Sequence, residues 1–109
     1  MKISKEQICV ATEWWCWKLR WQTYIGLSDK QIAAFGVALA GELENAEISD
    51  EVDTDYGPGQ VLGIAAGKAG INGSVFPWKT NMRFLSGGVQ VSDSRLAPFV
   101  ELMELEVKQ

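Results

Sequence analysis

The sequence predicts an α+β fold in which N-terminal helices pack on a small antiparallel sheet formed mainly by the C-terminal half. Two observations support this prediction. Apolar residues in the first half of the chain recur every three or four positions, as on helices, whereas those after Pro77 alternate with polar residues, as in half-buried strands. With 109 residues, of which 47% are hydrophobic, the chain is long enough for one globular domain over residues 1–109.

The first helix is predicted from Lys5 to Gln22, because Ser4 and Gln7 have the spacing of a capping box. A helical projection separates two apolar arcs, where an ordinary surface helix has one. One arc holds Ile8, Ala11, Trp15 and Leu19, and the other holds Val10, Trp14, Trp17 and Trp21. Three tryptophans exceed the usual exposed apolar patch of about 300–600 Å². We therefore expect the second arc to be covered by another layer, a second subunit or a ligand.

The second helix is predicted from Asp29 to Ala46, since Ser28 and Gln31 repeat the capping-box pattern. Gly36 and Ala40 are small residues four positions apart, so they lie on the same face of this helix. Their spacing indicates close contact with another helix.

A short strand is predicted over residues 48–54, followed by a third helix from Pro58 to Ala69. Proline is favoured at the first position of a helix, because its fixed φ suits the helix and its missing N–H is not needed there. Gly70 is expected to end the third helix, since glycine adopts the left-handed conformation that follows many helices.

The alternation of polar and apolar residues over 78–84 predicts a strand. Gly87-Gly88 predicts a two-residue hairpin turn with positive φ at both glycines, and the return strand continues through Val89 and Val91. In the tail, two patterns compete. The alternation of apolar and polar residues over 103–108 favours a strand, whereas the composition favours a helix beginning at Pro98. We predict the strand.

Composition excludes several kinds of chemistry. The chain has no histidine, which excludes Ser-His-Asp and Cys-His nucleophile systems and every zinc site with an imidazole ligand. Cys9 and Cys16 lie seven residues apart on the first helix, about 10.5 Å along its axis, which is too far for a disulfide. We expect both thiols to be reduced and buried, and we expect neither a metal site nor a cofactor.

Negative charge is concentrated in one stretch. The chain carries a net charge of −4, but residues 31–67 contain no Lys or Arg and carry −7, so the rest carries +3. This balance argues against nucleic-acid binding, which needs a basic face. No apolar run is long enough for a membrane span, and the N-terminus lacks the apolar stretch of a signal peptide. We therefore predict a cytoplasmic protein.

Three groups of residues are candidates for binding. The first is the tryptophan arc of the first helix, with Trp14, Trp17 and Trp21. The second is an acidic surface over Glu42 to Asp55 that would dock on a basic partner, with Asp50, Glu51, Asp53, Asp55 and the adjacent Tyr56 as its candidate binding residues. The third is an anion site at the start of the third helix, where backbone N–H groups and either Lys79 or Arg83 would hold the ligand.

Two segments of the chain resemble a pattern found in small bacteriophage and prophage proteins of unknown function. The first is Asp55-Tyr56-Gly57-Pro58; the second comprises Ala69-Gly70-Ile71 and then Phe76-Pro77-Trp78-Lys79-Thr80 with Met82. With the tryptophan-bearing helix, the resemblance covers most of the chain. It implies a phage or prophage origin and expression in a bacterial host cell, and it implies no catalytic residues.

The residues and this resemblance together predict a non-catalytic phage accessory protein. It would bind a host protein through the tryptophan arc or the acidic surface, and the arc could also be closed by self-association into a homo-oligomer. One alternative is a small-ligand binder that takes a nucleotide-like molecule between indoles and Lys79 or Arg83. The other is a small enzyme that uses carboxylates.

Overall fold

Over the described residues, three α-helices pack with a four-stranded antiparallel sheet whose strands lie side by side in chain order. The computed structural model describes residues 1–22, 26–94 and 97–103. The elements are α1 (Lys5–Gln22), α2 (Asp29–Leu43), β1 (Glu51–Asp53), α3 (Gln60–Ala69), a 3-10 turn (Gly73–Val75), β2 (Asn81–Leu85), β3 (Gly88–Ser92) and β4 (Val100–Glu101). The predicted α+β architecture, with helices before most of the strands, is confirmed.

α1 begins where the capping box places it. The backbone N–H of Ser4 donates to Gln7 Oε1 at 2.7 Å, and the backbone N–H of Gln7 donates to Ser4 Oγ at 3.1 Å. One predicted arc forms the core side of the helix, where Ala11, Trp15 and Leu19 are fully buried. The Trp15 ring packs against Phe76, with ring centroids 6.2 Å apart.

Two polar side chains hold α1 beside β3. The Gln7 amide donates to the backbone oxygens of Leu85 and Gly88, at 2.6 and 2.9 Å, around the start of β3. Lys18 forms an ion pair of 2.7 Å with Asp93, just after the end of β3. From Gln7 to Lys18 the helix rises about 16 Å. From Gly88 to Asp93 the strand extends roughly 17 Å, which is nearly the same distance. α1 and β3 therefore run side by side in the same direction.

α2 packs closely on α1 at Gly36. A Cβ placed on this glycine would lie 3.1 Å from Cys16 Sγ and 3.6 Å from Thr12 Cγ2, so the two helices approach where a side chain is missing. This confirms the contact predicted from the small residues of α2. The helix starts at its predicted capping box but ends at Leu43, three residues earlier than expected. A turn follows, in which the N–H of Ala46 donates to Leu43 O.

The segment between β1 and α3 differs from the prediction. β1 has three residues instead of seven, and α3 begins at Gln60 with Gly59 as its N-cap, so Pro58 lies outside the helix. The reason is a tight loop. Pro58 forms an isolated bridge with Thr54, and the N–H of Gly59 donates to Asp53 O at 2.8 Å. Gly70 ends α3 with φ 70°, as predicted.

The hairpin turn is shifted by one residue from the prediction. Leu85 and Gly88 are register partners, so the turn residues are Ser86 and Gly87. Gly87 has φ 76°, whereas Gly88 belongs to β3 and does not have positive φ. The expectation of positive φ at both glycines is therefore wrong for Gly88. The missing side chain of Gly88 instead leaves room for Glu101, because a Cβ on Gly88 would lie 3.1 Å from Glu101 Oε1.

A strand forms in the tail, at Val100–Glu101, antiparallel to β3. It precedes the alternating segment from which a strand was predicted, and Leu105 and Val107 lie outside the described residues. The competing helix from Pro98 does not form over residues 98–103.

We expect Gln7→Leu to lower the free energy of unfolding by about 2–3 kcal/mol, since it leaves two backbone oxygens without a buried donor. The matched control is Gln31→Leu. Gln31 has the same capping-box position on α2, but its bond to Gly70 O is exposed, at 3.2 Å. Chemical denaturation should show a loss below about 1 kcal/mol for the control. Equal losses would contradict a role for Gln7 beyond capping.

We expect Gly41→Ala to stabilise the protein by about 0.5–1 kcal/mol, because alanine favours the helix and nothing lies within 4 Å of the new Cβ. Gly36→Ala should show no gain or a loss of up to about 1 kcal/mol, because the Cys16 sulfur must move. Adding Cys16→Ala should restore the gain. Equal stabilisation by Gly36→Ala and Gly41→Ala in thermal denaturation would show that the contact between α1 and α2 is loose.

Candidate functional site

Three surfaces concentrate exposed aromatic or charged side chains. The aromatic face of α1 is defined by Val10, Trp14, Trp17 and Trp21. The acidic groove lies between the end of α2, β1 and the start of α3. The aromatic pair is Tyr56 with Trp78.

The aromatic face is only partly covered within the chain. Val10 and Trp14 are half-buried and pack against the core, and the Trp14 ring meets Trp15 edge-on at 4.9 Å. Trp17 and Trp21 are 52% and 69% exposed. Of the three expected covers, a layer of the same chain is therefore absent over these two residues, and a second subunit or a ligand stays a prediction. The contacts of Gln7 and Lys18 attach one side of α1 to β3, and Trp17 and Trp21 stay exposed.

The Lys18 side chain lies along one side of the aromatic face. Its side chain is only 6% exposed, and its Nζ lies 5.5 and 5.8 Å from the ring centroids of Trp14 and Trp17. The ammonium is paired with Asp93 and attracted to both rings, which supports its burial. Trp14 and Trp17 are thus held in place by a charge that also fixes α1 to the sheet.

The acidic groove has a volume of about 450 Å³. Four carboxylates line it, from Glu42, Asp50, Glu51 and Asp53. Its floor is apolar, formed by Leu43, Ala46, Val52, Val61 and Leu62. Thus the structure brings Asp50, Glu51 and Asp53 together with Glu42, the first residue of the predicted acidic surface.

The backbone around the groove is held by local and long-range hydrogen bonds. The N–H of Glu47 donates to Asp50 Oδ2 at 2.7 Å, which fixes the connection from α2 to β1. The N–H of Ile48 donates to Met1 O at 2.8 Å, so the N-terminal residues support the same connection. At Glu42, Lys68 Nζ approaches a carboxylate oxygen at 3.4 Å and partly balances its charge.

Tyr56 of the aromatic pair lies at the tip of the loop over residues 53–59. The two ends of this loop, Asp53 and Gly59, line the groove. Tyr56 and Trp78 are 67% and 62% exposed, and their rings meet edge-on with centroids 5.4 Å apart. Lys79 forms an ion pair with Asp55, and its Nζ lies 4.4 Å from the Tyr56 ring centroid. The predicted residues Asp55, Tyr56 and Lys79 are therefore brought together, beside the groove.

Sequence reasoning missed Trp78, which it placed in a half-buried strand. β2 begins only at Asn81, and Lys79 has φ 57°, so the chain turns before the strand and Trp78 points outward. Pro77 was the available signal, because a proline cannot donate to a strand ladder and marks a break in the alternation.

The two basic residues of the predicted anion site have other partners. Arg83 lies on β2, where its Nε donates to Gln90 Oε1 at 2.9 Å and its guanidinium stacks on Phe99 at 3.7 Å. Neither Lys79 nor Arg83 lines the groove at the start of α3, which is surrounded by carboxylates instead. Among the described residues, no group of three or more His, Cys, Asp or Glu side chains could hold a metal ion.

The two cysteines are free, as expected, but they are not both buried. Cys9 is exposed on α1 and Cys16 is half-buried against α2. Burial raises the pKa of the Cys16 thiol, and the negative charge of Glu13 raises the pKa of Cys9. In the part of the chain that the structure describes, no helix is long and apolar enough to cross a membrane.

Comparison with known proteins gives a match in fold. No protein-family model matches the chain, and no curated protein matches it in sequence. The structure is similar to the solved BTG/Tob domain of FOG-3 from C. elegans, with a TM-score of 0.71 and 14% sequence identity. The match covers 91% of this chain and 89% of the other. At this identity it shows the fold alone.

This match overturns the expectation of a phage or prophage accessory protein. The similar domain belongs to a eukaryotic protein. None of the comparisons tests the sequence resemblance of residues 55–58 and 76–80, which stays a prediction.

We expect Cys9 to be alkylated more slowly at neutral pH than an exposed cysteine with an ordinary pKa. Only the thiolate reacts, and the Glu13 carboxylate, 3.6 Å from Cys9 Sγ, raises the pKa. Glu13→Gln should therefore speed alkylation and move its pH–rate profile to lower pH, as measured by mass spectrometry of the labelled peptide. The control is Glu6→Gln. If both variants react like the wild type, Glu13 does not set the pKa of Cys9.

Proposed function

We propose that this chain is a protein-binding domain that accepts a basic, extended segment of a partner protein in the acidic groove. The observation that carries the proposal is the combination of four carboxylates with an apolar floor in one groove of about 450 Å³. The aromatic pair extends the same surface.

The charge of the groove is complementary to arginine and lysine side chains. Glu51 and Asp53 lie two residues apart on β1, so their side chains share one face of this edge strand, and Asp50 directly precedes it. No basic residue is among those that line the groove. A cationic segment would form charge-assisted hydrogen bonds there, and long-range attraction would speed its association.

The apolar floor favours a peptide over a simple cation. Val52 and Leu62 line the groove from β1 and α3 and are almost fully buried, and Val61 beside them is half-buried. The volume lies within the range of about 300–1,000 Å³ that is typical of ligand pockets. A few side chains of a partner segment fit this space, and apolar residues between its basic ones would contact the floor.

The aromatic pair provides an anchor next to the groove. The loop over residues 53–59 lines the groove at Asp53 and Gly59 and carries Tyr56 at its tip. Exposed tryptophan and tyrosine are enriched among the residues that contribute most to protein interfaces. Trp78 is therefore expected to contact the same partner segment after it leaves the groove.

The fold supports this proposal, because BTG/Tob domains bind partner proteins. The alternatives have less support. Carboxylates around the start of α3 repel the phosphates of a nucleotide-like ligand. The carboxylate-based enzyme stays a prediction that no observation favours.

The test begins with selection of binders to the purified protein from a random peptide library. We expect enrichment of peptides in which Arg or Lys alternates with apolar residues. A selected peptide, labelled with a fluorophore, is then titrated with variants of the protein. Glu51→Gln with Asp53→Asn should weaken binding about tenfold, and Trp78→Ala about thirtyfold, corresponding to a hot spot of about 2 kcal/mol.

The matched control is Glu6→Gln with Glu13→Gln, which removes the same charge from α1 and should leave the affinity within about twofold. Binding of the wild type should also weaken steeply with salt. Selection of acidic or purely apolar peptides would contradict the proposal, as would peptides whose affinity is insensitive to both the groove and the Trp78 substitutions.

A further inference from the structure

We infer that the aromatic face of α1 is a self-association surface, on which α1 of a second copy of this chain packs in antiparallel orientation about a two-fold axis. This surface is separate from the acidic groove, to which α1 contributes no residue. The inference therefore does not depend on the proposed function.

The exposed tryptophans are the first observation. Trp17 and Trp21 lie four residues apart on α1 and are 52% and 69% exposed. Taking about 250 Å² for a whole tryptophan side chain, they leave roughly 300 Å² of indole surface in water per copy. Val10 and Trp14 extend this surface towards the N-terminus of the helix. This is the lower end of the roughly 300–600 Å² that a monomer leaves exposed, and a second copy would remove it from water for both.

The arrangement of charge identifies the occupant. Glu13 and Arg20 are exposed and lie seven residues apart, so they share one edge of the aromatic face about 10.5 Å apart along the axis. A two-fold axis perpendicular to two antiparallel helices places this edge beside the same edge of the second copy. Glu13 of each copy then faces Arg20 of the other, and both contacts are attractive.

The same symmetry places the aromatic residues together. The midpoint between Glu13 and Arg20 lies next to Trp17, so Trp17 of one copy packs near Trp17 of the other. Trp21 then reaches the part of the face around Val10 and Trp14. A parallel arrangement would instead set the charged edge of one copy against the opposite edge of the other, where no such pairing exists.

Arg20 can contact Glu13 of a second copy while it keeps its contact within the chain. Arg20 NH1 donates to Asp29 at 2.8 Å, but both side chains are exposed, and exposed pairs of this kind contribute about 0–1 kcal/mol. The guanidinium has five donors and can contact Asp29 and a second carboxylate together. Lys18, on the other side of the face, is already paired with Asp93.

The interface is small, so the dimer is expected to be weak. Indole surface from both copies sums to about 600 Å², half of the roughly 1,200 Å² at the low end of specific interfaces. We therefore expect a dissociation constant in the micromolar range or above and a dimer that forms as the concentration rises.

The experiment is analytical ultracentrifugation of the full chain from about 10 µM to about 1 mM. The wild type should change from monomer to dimer over this range. Trp17→Ala with Trp21→Ala should remain monomeric and folded, as checked by circular dichroism. The matched control is Trp78→Ala, which removes an equally exposed tryptophan elsewhere and should leave dimerisation unchanged.

Charge exchange tests the antiparallel geometry. Glu13→Arg alone and Arg20→Glu alone should each weaken dimerisation about tenfold or more, because two contacts per dimer become repulsive. An equimolar mixture of the two variants should associate again, since both contacts are then attractive in the heterodimer. At high salt, both the weaker dimerisation of the single variants and the recovery in the mixture should become smaller.

Each outcome decides the inference. A wild type that stays monomeric at the highest concentration would overturn it, and so would dimers that persist in the tryptophan double variant. Dimers that form without recovery in the mixed charge variants would overturn the antiparallel geometry. Loss of peptide binding by Trp78→Ala with intact dimerisation would separate this inference from the proposed function.

Discussion

The position of α1 along β3 is the constraint on which the rest of the structure depends. Gln7 fixes the start of the helix to the β2–β3 turn through Leu85 O and Gly88 O, and Lys18 fixes its later part through Asp93. The two attachments are separated by nearly the same distance along the helix and along the strand. With α2 against it at Gly36, α1 has one open side. That side carries the exposed tryptophans.

A second polar contact determines where the aromatic pair lies. Thr54 and Thr80 are buried and bonded to each other: the N–H of Thr54 donates to Thr80 O at 2.8 Å, and the N–H of Thr80 donates to Thr54 Oγ1 at 3.0 Å. This contact joins the segment after β1 to the segment before β2. Tyr56 and Trp78, each two residues away in sequence, meet as a result. The binding surface that we propose is therefore built by pairing of backbone segments, with its aromatic side chains outside the core.

Local rules predicted the starts of α1 and α2 and the fold class, whereas contacts distant in sequence decided the parts that were wrong. Both capping boxes formed because each involves residues three apart. Pro58 was misplaced because the bond from Gly59 to Asp53 O closes a loop that the sequence pattern does not encode. Trp78 was misplaced because alternation cannot show where a strand begins. For the candidate site, acidic residues near β1 were predictable from charge, but the apolar floor depends on α2 and α3 meeting there.

The two proposed surfaces lie on different elements, and this separation has a consequence for binding. The groove is formed by the end of α2, by β1 and by the start of α3, whereas the aromatic face belongs to α1. A two-fold pair joined through α1 would leave both grooves open. Such a pair would present two sites for basic segments, and a partner with two segments could occupy both at once. The second binding event would then be intramolecular and governed by the length of chain between the segments. A weak dimer and a weak peptide site would in that case reinforce each other, because a bivalent partner stabilises the dimer that holds it.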